Sequence, residues 1–239
     1  MRIAVLLSAL MLAGMATPAD MHAVDAEPGR IARNGDATLT AGSPSPCADG
    51  KYNLLGPARW KQTLNWRFRS SSVPSRLSAS GVLDVIKKSF RNVTTARNDC
   101  GRPDNVGATS HYAGTTARKP GVSADGVCTG ADGQNVVGFA PLSGFYSGFT
   151  CIYWIGNEIV EMDMRLDSET RWALSAATCD GELRMEALVT HEVGHAFGLA
   201  HVGESRHGRL TMSTFIDGLC ENQEATLGLG DMRGLEALY

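Results

Sequence analysis

The stretch His191-Glu192-Val193-Gly194-His195-Ala196-Phe197-Gly198-Leu199-Ala200-His201 constrains this chain more than any other feature. His191 and His195 are four apart, so a helix through them stacks both imidazoles on one face, one turn apart. Two neutral imidazole nitrogens so placed can share a Zn²⁺ at about 2.0–2.1 Å. Glu192, beside the first of them, can reach a water activated by the ion without being a ligand itself. A helix continued past Phe197 would carry His201 to another face. Gly198 tolerates positive φ and commonly ends helices, and a sharp turn there lets His201 swing back. Three imidazoles leave the fourth position of a tetrahedral ion open, as catalysis requires. The whole chain has only six His, and three of them fall in this window, which makes a helix of solvated histidines a poor account of the pattern.

The amino terminus speaks to compartment. Arg2 precedes an apolar run from Ile3 to Leu12, broken only by Ser8, and small residues follow, with Ala16 and Ala19 before Asp20. That is the layout of a secretory signal peptide, expected over residues 1–19 and extending to 26 if cleavage follows Ala26 instead. The run is too short to span a bilayer, which takes roughly 20 residues. Six cysteines, Cys47, Cys100, Cys128, Cys151, Cys179 and Cys220, lie beyond the signal. An even number in an exported chain reads as three disulfides, with the pairing open. The cysteines are too dispersed for a Cys-x-x-Cys metal site. A formal net charge of -3 and the absence of a basic block argue against a nucleic-acid partner.

Residues 20–46 are rich in Ala, Gly, Pro, Ser and Asp without hydrophobic periodicity, and read as a flexible tail or a short pro-segment. Residues 47–239 have the texture of one compact domain. Leu64, Trp66 and Phe68 alternate with polar neighbours as a half-buried strand does. Val82, Leu83, Ile86, Phe90 and Val93 fall at helical spacing, with Ser78 or Ser80 to cap the start and Asp99 to Pro103 as the stop. The Gly- and Asp-rich region 104–138 reads as loops and short strands. Phe149 to Ile155 and Glu158 to Leu166 are strands joined by a Gly156-Asn157 hairpin turn, the second with one mostly polar face. Glu182 to Phe197 reads as a strong helix and Asp231 to Tyr239 as a short closing one. This order predicts an α/β or α+β fold with a small sheet.

The His191–His201 stretch resembles the zinc-binding signature of the metzincin metallopeptidases. Met212, in Leu210-Thr211-Met212-Ser213, fits the methionine turn that the same clan places under its zinc. Within the clan the chain is most similar to the matrixins, particularly bacterial secreted ones: Trp60 to Phe68 resembles their opening strand and Asp231 to Tyr239 their last helix. The resemblance implies a small twisted mixed sheet over two long helices and a short C-terminal helix, with zinc in a cleft beside the sheet edge. A peptide substrate would lie there as an added strand. The chain also departs from the pattern. Two residues after the turn methionine stands Thr214, so the tyrosine ligand of some metzincins is not supported. Only His111 and His207 remain in the mature domain for the second, structural zinc of animal matrixins. Cys100-Gly101-Arg102-Pro103-Asp104 resembles the matrixin cysteine switch, but it follows the first helix instead of preceding the opening strand. Its order and the even cysteine count favour a disulfide.

The resemblance therefore implies a secreted zinc endopeptidase that hydrolyses internal peptide bonds, with His191, His195 and His201 as ligands and Glu192 as general base. The expected state is a monomer acting on protein or peptide substrates, free of the membrane once the signal is removed. Calcium is a second candidate ion, with Asp125, Asp132, Asp163 and Asp167 as available oxygen ligands. The alternative is a secreted zinc-binding protein of the same fold without turnover. The pocket beside the zinc should involve residues after Met212, such as Phe215 and Ile216.

Overall fold

A computed structural model describes residues 21–25, 29–31, 43–216, 219–220 and 225–239; the expected signal peptide, residues 1–19, lies outside them. The chain order is β1 (Met21–Asp25), β2 (Gly29–Ile31), β3 (Asn53–Leu54), β4 (Leu64–Phe68), α1 (Ala79–Thr94), β5 (Ser110–Thr115), β6 (Asn135–Ala140), β7 (Tyr146–Ile155) and β8 (Glu158–Asp167). It continues with β9 (Trp172–Ala173), β10 (Leu183–Arg184), α2 (Met185–Ala196), β11 (Leu199–Ala200), α3 (Glu204–His207), β12 (Phe215–Ile216) and α4 (Leu229–Leu238).

The main sheet has the order β12-β2-β7-β8-β6-β4-β5, and β1 also pairs with β7. Strands β8, β6, β4 and β5 are mutually parallel, whereas β7 runs antiparallel to β8 through the Gly156-Asn157 turn. The expected mixed sheet is present, with α1 and α2 packed against each other on one side. The alternation in β4 buries Leu64, Trp66 and Phe68, and the Trp66 ring stacks on Phe90 of α1 with centroids 4.4 Å apart. Ser78 caps α1 by accepting the Gly81 N–H, and Val82, Ile86, Phe90 and Val93 face the core. The helix stops at Thr94, ahead of the expected Asp99–Pro103 stop; Ala96 then takes a positive φ of 43°.

Three parts of the sequence reading change in the structure. Helix α2 begins at Met185, because Leu183 and Arg184 are already committed to a parallel pair with Trp172 and Ala173. The stretch 20–46 contributes β1 and β2, both antiparallel to β7; backbone pairing of this kind leaves no periodicity to read. The polar face of β8 is not a solvent face: Glu161 and Asp163 are each 2% exposed. Residues from Gly121 to Pro141 cover it, and backbone groups there that lack a ladder partner bond to β8 side chains. Glu161 accepts the N–H groups of Asp132 and Gly133, Asp163 accepts that of Val136, and Arg165 donates to the carbonyls of Val122 and Pro141. A second small apolar cluster, built on Val122, Leu142, Phe149, Cys151 and Tyr153, closes this layer.

All six cysteines form disulfides: Cys47–Cys100, Cys128–Cys151 and Cys179–Cys220. Cys100 therefore offers no thiol to a metal. No helix among the described residues is long and apolar enough to cross a membrane.

Burial, and then the neighbouring charge of Glu161, push the Asp163 carboxyl up to about 8. A carboxyl whose pKa is higher folded than unfolded binds more protons in the native state. Its contribution is then largest below the unfolded value of about 4 and is lost as pH rises towards 8. Urea unfolding at pH 5 and pH 8 should show the wild type losing about 3–4 kcal/mol more over that interval than Asp163→Asn. Parallel pH dependence in the two proteins would contradict this assignment.

Candidate metal centre

Helix α2 carries the first half of the site. Every residue from Met185 to Ala196 is buried, including Glu186, Thr190, His191, Glu192 and His195. Such burial is tolerable only because the polar groups are partnered. Glu186 accepts from Lys88 Nζ at 2.7 Å and Asn92 Nδ2 at 3.1 Å, and Asn92 also reaches Thr190, so α1 fixes the rotation of α2 through polar contacts.

The helix ends as the sequence requires. Phe197 is the cap and Gly198 has φ +92°. A Cβ there would sit 3.0 Å from Leu238 Cδ1 and 3.3 Å from the Ala58 carbonyl, so this position excludes side chains on two counts. The carboxyl-terminal helix holds the turn from outside: Tyr239 Oη donates to the Phe197 carbonyl at 3.3 Å, and Trp60 Nε1 donates to that of Ala196 at 2.8 Å. β11 then pairs with β3, and Asn53 Nδ2 donates to the His201 carbonyl at 2.7 Å.

The result is convergence. The Nε2 atoms of His191, His195 and His201 lie 2.9–3.1 Å from one another. His191 Nδ1 donates to the Thr211 carbonyl at 2.7 Å, and His195 Nδ1 donates to the Leu199 carbonyl at 2.8 Å. Those bonds place the ring proton on Nδ1 and leave Nε2 as a lone pair. Burial lowers the His191 pKa to about 4 and, with the two neighbouring rings, holds His195 well below the usual histidine range, so both stay neutral. Neutral nitrogens with lone pairs turned towards each other repel unless a cation lies between them. The donor set suits a zinc ion, and the Thr211 and Leu199 carbonyls fix the tautomer such a site needs. Among the described residues, these three form the group able to hold a metal ion.

Met212 lies against the helix between His191 and His195, so closely that a Cβ on Gly194 would overlap its sulfur. The structure also brings in residues that the sequence did not single out. Asp231 of α4 accepts from the backbone N–H groups of Thr211 at 2.9 Å, Met212 at 3.1 Å and Gly228 at 2.8 Å. Asp231 thereby sets the turn whose Thr211 carbonyl orients His191. On the sheet side, Thr150 Oγ1 donates to Glu192 Oε2 at 2.7 Å, and Gly148 is packed so closely that a Cβ would lie 2.8 Å from Glu192 Oε1. Their signal in the sequence was a small and a polar residue two apart on the same face of an otherwise apolar strand. Phe215 and Ile216, expected beside the pocket, form β12 directly after the turn, with Ile216 buried.

The other candidates lie apart. Asp163 and Asp167 are buried, and Asp167 accepts from Leu142 N and Thr170. Asp132 pairs with Arg118 at 2.6 Å, and Asp125 is exposed. His207 pairs with Asp49 at 2.8 Å, and His111 is exposed on β5.

A mixed sheet with an antiparallel edge, a buried helix carrying two histidines, a glycine turn to a third and a methionine beneath them make a fold similar to that of the metzincin metallopeptidases. More narrowly, residues 147–239 match the family model described as Matrixin, which covers β7, β8, the three histidines, the methionine turn and α4. No curated protein matches the chain.

Asp231→Asn would put two N–H donors against three backbone N–H groups. It should cost about 2–4 kcal/mol of stability and weaken zinc binding, although residue 231 touches none of the three histidines. Unfolding and zinc competition measurements giving wild-type values would show that the turn holds without it.

Proposed function

We propose that the protein is a secreted zinc endopeptidase that hydrolyses internal peptide bonds, with His191, His195 and His201 as zinc ligands and Glu192 as general base. The observation that carries this reading is the placement of a buried carboxylate directly after the first of three convergent imidazoles. Bound zinc would acidify a water and polarise the scissile carbonyl.

The chain's own residues supply the rest. Glu192 lies on the sheet side of α2, towards β7, where a strand-like substrate would run. Thr150 holds one carboxylate oxygen and so fixes the rotamer. Glu192 takes the proton of the attacking water and later delivers it to the leaving amine. Met212 and Asp231 act on position only, by holding the turn beneath His191 and His195. The substrate side chain just past the cleaved bond would sit beside Phe215 and Ile216 of β12.

Secretion rests on the amino-terminal sequence pattern and on three disulfides, which persist in oxidising compartments. A monomer working on proteins or peptides fits a cleft formed within one chain. Zinc is the one ion this reading requires. Of the carboxylates considered for calcium, Asp163 and Asp167 instead accept from backbone N–H groups, Asp132 pairs with Arg118 and Asp125 is exposed.

Glu192→Ala should keep stoichiometric zinc and lose at least about 10³-fold in kcat on casein or a quenched peptide, the order expected for removal of a general base. His201→Ala should lower zinc affinity and activity together. Turnover by Glu192→Ala at the wild-type rate would refute the role of that carboxylate. A zinc-loaded wild type that cleaves nothing would instead leave a binding protein of this fold.

A further inference from the structure

We infer that a cavity outside the carboxyl ends of β4, β6 and β8 binds a phosphate monoester carried on a small apolar body. The cavity shares no residue with the histidine cluster. The inference stands independently of the peptidase reading.

The place follows from the topology. β4, β6 and β8 are adjacent and parallel, so their carboxyl ends open on one side of the sheet. In open parallel sheets, ligands collect outside those ends. Arg69 directly follows β4, Ala140 ends β6 and Ser168 directly follows β8. With Lys119 and Pro120, from the segment between β5 and β6, they line a cavity of about 460 Å³. Pockets that hold small molecules run from about 300 to 1,000 Å³.

The base of the cavity is set by a bare stretch of strand. A Cβ on Gly138 of β6 would lie 3.2 Å from each of Arg69 Cβ, Pro120 Cδ and Ser72 Oγ. Without that side chain, the three close directly on the β6 backbone. Ser72 Oγ donates to the Arg69 carbonyl at 2.6 Å and accepts the Phe139 N–H at 2.9 Å. Backbone contacts, not a carboxylate, therefore hold Arg69 in place.

The charge is one-sided. Arg69, Lys119 and Arg165 line the cavity, and no acidic side chain does. None of the three takes part in an ion pair among the described residues. Arg69 gives a bond from Nε to the Ala117 carbonyl at 3.3 Å, and its two terminal nitrogens make none among the described residues. Arg165 directs Nη1 and Nη2 to the Val122 and Pro141 carbonyls, and its buried Nε has no partner among the described residues. Burial lowers the Arg165 pKa and the Asp167 carboxylate opposes that shift, but the Asp167 oxygens accept from Leu142 and Thr170. Cationic groups drawn partly out of water without a paired anion are costly, and a bound anion relieves that cost.

The ligand class follows from charge and shape. A singly charged carboxylate would leave two of the three cations uncompensated. A phosphate monoester carries about −1.5 to −2 at pH 7 and offers three acceptor oxygens. Guanidinium groups match phosphate oxygens in pairs. The Ser168 hydroxyl makes no hydrogen bond among the described residues and can donate to a further oxygen. Pro120, Val122, Phe139 and Pro141 supply apolar walls for the body that carries the phosphate.

The test is isothermal titration of the full, zinc-loaded chain at low ionic strength, with phenyl phosphate as the probe and benzoate as the comparison. The expected result is saturable binding of one equivalent of phenyl phosphate, with benzoate at least about tenfold weaker. Arg69→Gln combined with Lys119→Gln should weaken phenyl phosphate at least about tenfold, with the urea midpoint reporting that the variant is folded. Should that variant fail to fold, Lys119→Glu alone, at an exposed position, should show a loss of about tenfold. Hydrogen exchange over residues 117–122 should slow when phenyl phosphate is present. Absence of saturable binding, equal binding of benzoate, or wild-type affinity in the folded variant would overturn the proposal. Binding that survives in the variant but vanishes when a chelator strips the zinc would place the phosphate on the metal and overturn it equally.

Discussion

Three imidazole lone pairs turned towards one point form the constraint on which the rest of this structure depends. With their Nε2 atoms 2.9–3.1 Å apart, they are unfavourable neighbours unless a cation joins them. The fold around them reads as the means of holding that arrangement. Asn92 and Glu186 fix the rotation of α2. Gly198 breaks the helix at the one residue where a break returns His201 to the site. Asp231, at the far end of the chain, sets the turn that orients His191. The elements involved are distant in sequence, and a ligand set assembled this way forms only when the whole domain does.

The sheet serves the same centre from the other side. β7 is buried on both faces: Ile152 joins the main core and Phe149, Cys151 and Tyr153 the smaller one. Its glycine and threonine leave room for, and then hold, the carboxylate of Glu192. The polar face of β8 anchors the covering loop through carboxylates and a guanidinium, which adds order at the cost of a buried acidic pair. In the proposed function, metal chemistry and substrate path would thereby be built on different secondary elements and meet at Glu192.

The convergence of His191, His195 and His201 was legible because its signals are local: helical spacing, a neighbouring acid and a helix-breaking glycine all lie within one short segment. The same holds for β4 and α1, where Leu64-Trp66-Phe68 and Val82-Ile86-Phe90-Val93 report their own periods. Asp231, Gly148 and Thr150 were not legible, because their roles arise from contacts with residues far away in the chain. The start of α2 was misplaced because β10 takes Leu183 and Arg184, a tertiary choice that no helical pattern encodes. β1 and β2 were hidden for a different reason: strand addition uses the main chain, which every sequence has.

The most direct measurement of the central claim is zinc K-edge X-ray absorption on the protein carrying one equivalent of zinc. The account predicts three imidazole nitrogens and one oxygen at about 2.0–2.1 Å, with no sulfur, and loss of one imidazole in His201→Ala. A sulfur ligand, or a first shell made mostly of carboxylate and water oxygens, would contradict it.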